Sequence, residues 1–223
     1  MKKALVLPLI ITCIVTAMSA AAKPKILSFG KWMPVKLFIG PTEDKTTPMN
    51  VRALMWDGKI KEFTTGEPHD VTDRLLVVRR AYRLNDNLPA ENKKQPRWVW
   101  QLGGWLLVDR TNGRVANVAL PEFDPFYSEA SWYRDYVAYC GISENSEKIY
   151  AVVAQIGRRK PILRKELGRA SNGETPGSEC STPQWERNPA RVTFLPKNAA
   201  KITYSVQGHA ADLVVPEEGE QGE

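Results

Sequence analysis

An all-β domain, built from antiparallel hairpins and meanders in β-propeller-like or β-sandwich sheets, is the architecture that this 223-residue sequence predicts. Three observations lead there. Asp-Gly and Asn-Gly pairs stand between alternating apolar–polar stretches, and both pairs tolerate the positive φ angles of tight hairpin turns. Several segments alternate with period two, the repeat of a strand with one face buried. Long helical periodicity is absent, and 16 prolines scattered along the chain would break most longer helices.

In chain order, residues 1–22 read as a secretory signal peptide: Lys2 and Lys3, an uncharged apolar run, then small residues up to Ala22. The run is too short for a good spanning helix, and its style is bacterial. Residues 23–215 form one β-rich domain. Within it, ALMWDGKIKEF centres a hairpin on Asp57-Gly58, and WLLVDRTNGRVANVAL centres another on Asn112-Gly113. RWVWQL sets Trp98, Trp100 and Leu102 on one face. SWYRDYVAYCGI reads as one strand with Trp132, Arg134, Tyr136, Ala138 and Cys140 on one side and Tyr133, Asp135, Val137 and Tyr139 on the other. Overlapping its start, Ser128 to Tyr133 is the best short helix candidate, with Ser128 as its cap. ISENSEKIYAVVAQIG is a further hairpin, and its 149–156 half is apolar on both faces, as in a central strand. KPILRKEL and KITYSVQ alternate cleanly. Ten to thirteen strands are expected. The units DRTNGRVANV and SENSEKIYAVV are similar in style to propeller blades, but the turns do not recur at a fixed period, so a sandwich stands beside that reading. Residues 85–96 and 168–189 read as polar loops, and 216–223 as an acidic disordered tail.

Export bears on the cysteines. Cys13 leaves with the signal, so Cys140 and Cys180 are expected to form one disulfide that pins the 168–189 loop to the aromatic segment. The formal charge is +6, of which Lys2 and Lys3 supply two, leaving +4 on the mature chain. That mild excess favours weak attraction to anionic envelope polymers or phospholipid surfaces. No basic helix or base-stacking motif is present, so nucleic acid is not an expected partner, and no second apolar stretch could cross a bilayer.

Motifs for known chemistry are missing. There is no HExxH, CxxC, GxSxG or Gly-rich phosphate loop, and no cofactor is implied. His69 and His209 stand far apart. Around His69, Glu67, Asp70 and Asp73 form a polar loop; calcium on Asp70 and Asp73 is the metal reading, a solvated surface the simpler one, and no metal is expected. The remaining candidate is 121–139, rich in aromatics and acids. Phe126, Tyr127, Trp132 and Tyr133 are the candidate ligand-binding residues, because an aromatic ring offers an apolar body and Tyr and Trp add a polar tip. Core packing is the competing reading of the Trp132–Tyr139 half, whereas 123–129 reads as a loop. If the protein is catalytic, a pair from Asp124, Glu129 and Asp135 would act as in glycoside hydrolysis. The basic runs 158–165 and 79–83 read first as charged edge strands. The leading expectation is an exported, non-catalytic β-domain that binds a glycan, polymer or protein of the envelope. A small carbohydrate-active hydrolase and a structural subunit of an envelope assembly are the alternatives.

Overall fold

A computed structural model describes residues 25–38, 46–85, 98–170, 180–197 and 199–214. The expected signal peptide, the 86–96 part of the first loop, the 171–179 part of the second and the acidic tail lie outside these residues. Among the described residues there are fifteen strands and no helix.

The first sheet comprises β1 (Leu27–Phe29), β2 (Met33–Phe38), β3 (Thr46–Trp56), β4 (Lys59–Asp70), β5 (Leu75–Asn85), β6 (Trp98–Asp109) and β7 (Val115–Asn117). Strands β2 to β6 form a consecutive antiparallel meander that closes on itself, because β2 also pairs with β6. With five strands in an up-and-down order, first and last must run the same way. The closing pair is indeed parallel, and it holds at one register position, Leu37 opposite Trp100. The result is a small barrel. Long β3 serves two partners along its length, β2 from Thr46 to Val51 and β1 from Leu54 to Trp56. Leu54, Leu76, Val78, Leu106 and Val108 form its core under Leu27, Phe29 and Val115.

Asp57 and Gly58 turn the β3–β4 hairpin, both at positive φ (52° and 73°), as the sequence predicts. The Asn112-Gly113 turn differs. Only Gly113 is left-handed, and residues 110–114 make a longer loop folded around the Asp109 carboxylate. That carboxylate accepts from Arg74 Nε at 2.9 Å, Thr111 N at 2.8 Å, Thr111 Oγ1 at 2.6 Å and Asn112 Nδ2 at 3.0 Å. The Arg74 guanidinium foremost, then the Thr111 hydroxyl, hold its carboxyl well below the usual carboxylate range. A depressed acid contributes stability that is present above its unfolded pKa of about 4 and is lost as pH falls toward the folded value. The melting temperature should therefore drop on acidification below about pH 4, and Asp109→Asn should lower it at neutral pH while flattening part of that drop. An unchanged acid slope in the variant would remove this loop as its source.

The second sheet is a meander of β8 (Ala130–Tyr133), β9 (Tyr136–Ile142), β10 (Lys148–Gln155) and β11 (Leu163–Arg169). The third is a meander of β12 (Cys180–Arg187), β13 (Ala190–Pro196), β14 (Ile202–Gln207) and β15 (Ala210–Leu213). These two pack face to face as a sandwich. Ala138, Cys140, Ile149, Ala151 and Val153 meet Val192, Phe194, Tyr204 and Val206, with Leu163 and Leu167 of β11 and Ile202 of β14 at the margin. Burying each large apolar side chain here contributes roughly 1.5–3 kcal/mol before entropy is counted. The opposite face of the second sheet, with Val137, Tyr139, Tyr150, Val152 and Ala154, is extended by Ala130 and Trp132 of β8 and covered by Leu120 and Phe123. Strand β10 is thus apolar on both sides because it is covered on both sides. The Cys140–Cys180 disulfide, with Cα atoms 6.2 Å apart, ties the centre of the second sheet to the start of the third.

Three local expectations are corrected. SWYRDYVAYCGI is a hairpin, not one strand: Arg134 (φ 53°) and Asp135 form a two-residue turn, and Trp132 pairs with Val137. Cross-strand partners share a face, so Trp132 lies with Val137 and Tyr139 rather than with Ala138 and Cys140. The short helix expected at Ser128 to Tyr133 is instead the end of the loop followed by β8 itself, because pairing with β9 outweighs a weak capping signal. Finally, residues 180–187 of the second expected loop are β12. Gln184 to Arg187 pair with β13, and Pro183 is accommodated at a register shift between Ser181 and Gln184.

Candidate functional site

The 121–129 segment is a loop, and its shape is dictated by two short polar side chains. Asp124 Oδ1 accepts the backbone N–H of Phe126 at 2.7 Å and of Tyr127 at 3.2 Å, the arrangement in which an Asp side chain stands in for a turn. Buried Ser128 accepts from Asp124 N at 3.1 Å and donates to Cys140 O at 2.8 Å. Two further bonds lay the loop against β9: Tyr139 Oη to Pro121 O at 2.6 Å, and Ile142 N to Glu122 O at 2.9 Å. Burial pushes the Tyr139 phenol far above its ordinary pKa, so it stays a donor. Arg164 of β11 grips the Glu122 carboxylate through Nε at 2.8 and 2.9 Å and rides over the Tyr150 ring.

On the other side of this loop, β5 and β6 present a face to the second sheet. Their register places Val77 opposite Leu107 and Arg79 opposite Trp105. A cavity of about 320 Å³ lies between that face, the loop and β12, lined by Arg79, Leu102, Trp105, Phe126, Glu129 and Thr182. Arg79 is only 9% exposed. Its guanidinium donates to Pro125 O at 2.9 Å and lies 4.7 Å from the Phe123 ring centroid and 5.7 Å from that of Trp105. Burial lowers its pKa to about 10, and the nearby Glu129 and Asp124 carboxylates act the other way. It therefore remains a cation at neutral pH, held in an aromatic wall with a carboxylate at the rim. Glu129 is exposed, and its Oε2 accepts the Thr182 hydroxyl. Trp105 Nε1 is buried and has no hydrogen-bond partner among the described residues.

Of the seven residues singled out in sequence, Phe126 and Glu129 line this cavity. Asp124 shapes the loop that carries Phe126, and Tyr127 is half-buried and not in the lining. Trp132 is a joint between the barrel and the second sheet, edge-on to Trp105 at 5.2 Å and parallel to His69 at 6.1 Å. Tyr133 packs on Trp185 at 5.5 Å and donates to Arg187 O at 3.3 Å. Asp135 belongs to the β8–β9 turn, at the other end of β8 from Glu129. Its Oδ2 accepts from Gln155 Nε2 at 2.7 Å, and Gln155 Oε1 in turn meets His209 Nδ1 at 3.0 Å. The three carboxylates therefore do not surround one void; Asp124 and Glu129 act together only through Arg79.

Sequence reasoning missed Arg79 and Trp105. Arg79 sits in a run read as a charged edge, whereas β5 lies between β4 and β6 in the barrel. The alternation splits that run: Arg79 turns toward the second sheet, Arg80 pairs with Glu62 at 3.1 Å, and Arg83 lies over Trp98 at 5.0 Å. The available signal was Val77 two residues before Arg79, a cation continuing an apolar face. The 158–165 run fits its simpler reading, since exposed Arg158, Arg159 and Lys160 lead into edge strand β11. His69 and Asp70 are the end of β4 rather than a loop, and Asp70 pairs with Arg110. Among the described residues no three His, Cys, Asp or Glu side chains gather as a metal ion would require, and no helix is long and apolar enough to cross a membrane. Comparison with protein-family models, with curated proteins and with solved structures finds no match.

Proposed function

We propose that this chain is an exported, non-catalytic binding domain of the cell envelope that takes a glycan in the cavity between the barrel and the second sheet. The carrying observation is Arg79, a buried guanidinium set between the Trp105 and Phe123 rings, with Phe126 and the Glu129 carboxylate completing the walls. Aromatic faces pack on the C–H faces of a sugar, while a carboxylate accepts from its hydroxyls and a guanidinium donates to its oxygens. The cavity falls within the few-hundred-Å³ range in which small ligands are held. Binding rather than hydrolysis is favoured by how the acids are used. Asp124 and Asp135 are engaged in hydrogen bonds that shape turns, and a hydrolase needs its two carboxyl groups to flank one bond. The disulfide is consistent with an oxidising, exported location.

The test is the melting temperature of the oxidised mature protein against envelope glycans and peptidoglycan fragments, since a ligand of the native state must raise it. A stabilising glycan is expected, with its effect abolished by Phe126→Ala and its affinity lowered about tenfold by Glu129→Gln, the loss of one charge-assisted hydrogen bond. A silent panel, or a hit indifferent to both substitutions, rejects this site. Turnover of the glycan that vanishes in Glu129→Gln would replace the binding reading with the hydrolase.

A further inference from the structure

The barrel carries a second concave surface, remote in sequence from the loop above, and its chemistry is different. Two adjoining cavities of about 530 Å³ and about 390 Å³ share Pro34, Val35 and Trp100. The larger is walled by Met33, Ile60 and Phe63, and the smaller by Trp98. Several of the large apolar side chains here stand in solvent: Ile60 is 58% exposed, Trp98 52% and Met33 40%. Three such side chains from three strands around two adjoining cavities mark a contact surface rather than scatter. Charge is one-sided as well. Lys31 and Arg83 line the larger cavity and Lys36 the smaller, all three exposed, and no described lining residue is an acid. Neither Lys31 nor Lys36 has an ion-pair partner among the described residues.

We propose that this groove binds the acyl chain of a single anionic amphiphile, a long-chain carboxylate, with its headgroup held by Lys31, Lys36 and Arg83. Hydrogen-bonding capacity selects this ligand class over the others. Apart from the three cations, Thr46 is the one side chain in the lining with a hydroxyl, and there is no amide or carboxylate. A sugar would bury several hydroxyl donors with the Thr46 hydroxyl as their one acceptor side chain. An extended peptide would bury backbone N–H and C=O groups against β2, where Pro34 has no N–H to offer in return. An alkyl chain asks for no hydrogen bond, and its one anionic end meets cations only. This proposal is independent of the Arg79 cavity.

Titrate the oxidised mature protein with dodecanoate below its micelle concentration, and with an uncharged dodecyl ether of equal chain length, by calorimetry. Saturable one-to-one binding of dodecanoate, at least tenfold tighter than the ether, is expected. Ile60→Gln should weaken both ligands, whereas Lys31→Gln with Arg83→Gln should weaken dodecanoate alone by about tenfold and erase the preference. All three positions are exposed, so the free proteins should keep their melting temperature. Absence of saturable binding, or binding unaffected by either set, overturns the proposal. So does co-sedimentation with anionic vesicles without uptake of monomeric dodecanoate, which would make the same surface a membrane-docking face.

Discussion

Gly113→Ala is expected to cost roughly 3–5 kcal/mol, because the substitution fails on two counts. Gly113 has a φ of 66°, where a Cβ is disfavoured. The added Cβ would also lie 2.1 Å from Cδ2 of Trp56, inside the ring's own volume. Trp56 is 9% exposed and ends β3 beside the Asp57-Gly58 turn, so it has little room to retreat. A loss of this size should lower the melting midpoint by about 10 °C in a chain of this length. Gly208→Ala is the control. Gly208 also has a positive φ, 55°, but a Cβ there meets nothing within 4 Å. Its cost should be conformational only, about 1 kcal/mol. Equal losses at the two positions would show that Trp56 moves aside and that the clash carries no weight.

Opening the Cys140–Cys180 bond is the second large effect, expected at about 4 kcal/mol in the chain-entropy account for two residues 40 apart. The bond ties β9 to β12, and the neighbouring contacts between those sheets are Trp185 Nε1 to Ser131 O at 3.0 Å and the Tyr133 and Tyr136 rings on Trp185. Reduction is a cleaner experiment than substitution, since Cys140 is 7% exposed within the sandwich core and truncating it would add a cavity. Urea unfolding with and without reductant should show the midpoint falling. A change below about 1 kcal/mol would mean that the Trp185 contacts and the buried sandwich face already hold the third sheet in place.

How much of this was legible depends on whether a signal was local. Asp57-Gly58 announces its hairpin because both residues tolerate positive φ. The 149–156 run announces a doubly covered strand because burial on two faces removes polar alternation. The β8–β9 turn was silent because Arg134 and Asp135 carry no Gly or Asn, and Arg134 takes a left-handed φ for which its side chain gives no preference. That one unseen turn moved Trp132 to the other face of the sheet. The Arg79 cavity was illegible for a different reason. It needs the β5–β6 register to place Arg79 opposite Trp105, and a loop that brings Pro125, 46 residues further on, together with Phe126. The aromatic segment supplies one wall of that cavity through Phe126, but most of its rings serve as joints between sheets, and the cation in the opposite wall comes from elsewhere in the chain.

The seam between β2 and β6 carries one further implication, for the order in which the barrel assembles. Every other barrel pairing among β2 to β6 joins consecutive strands. The seam joins Leu37 to Trp100 and must close a loop of some sixty residues for a single rung of pairing. Made directly from the open chain, that contact would carry the closure entropy of all those residues for almost no local gain. The hairpins can zip without it, whereas the seam has to wait for all four of them. The closure that turns a curled ribbon into a barrel is then the last event in its folding and the first to be undone.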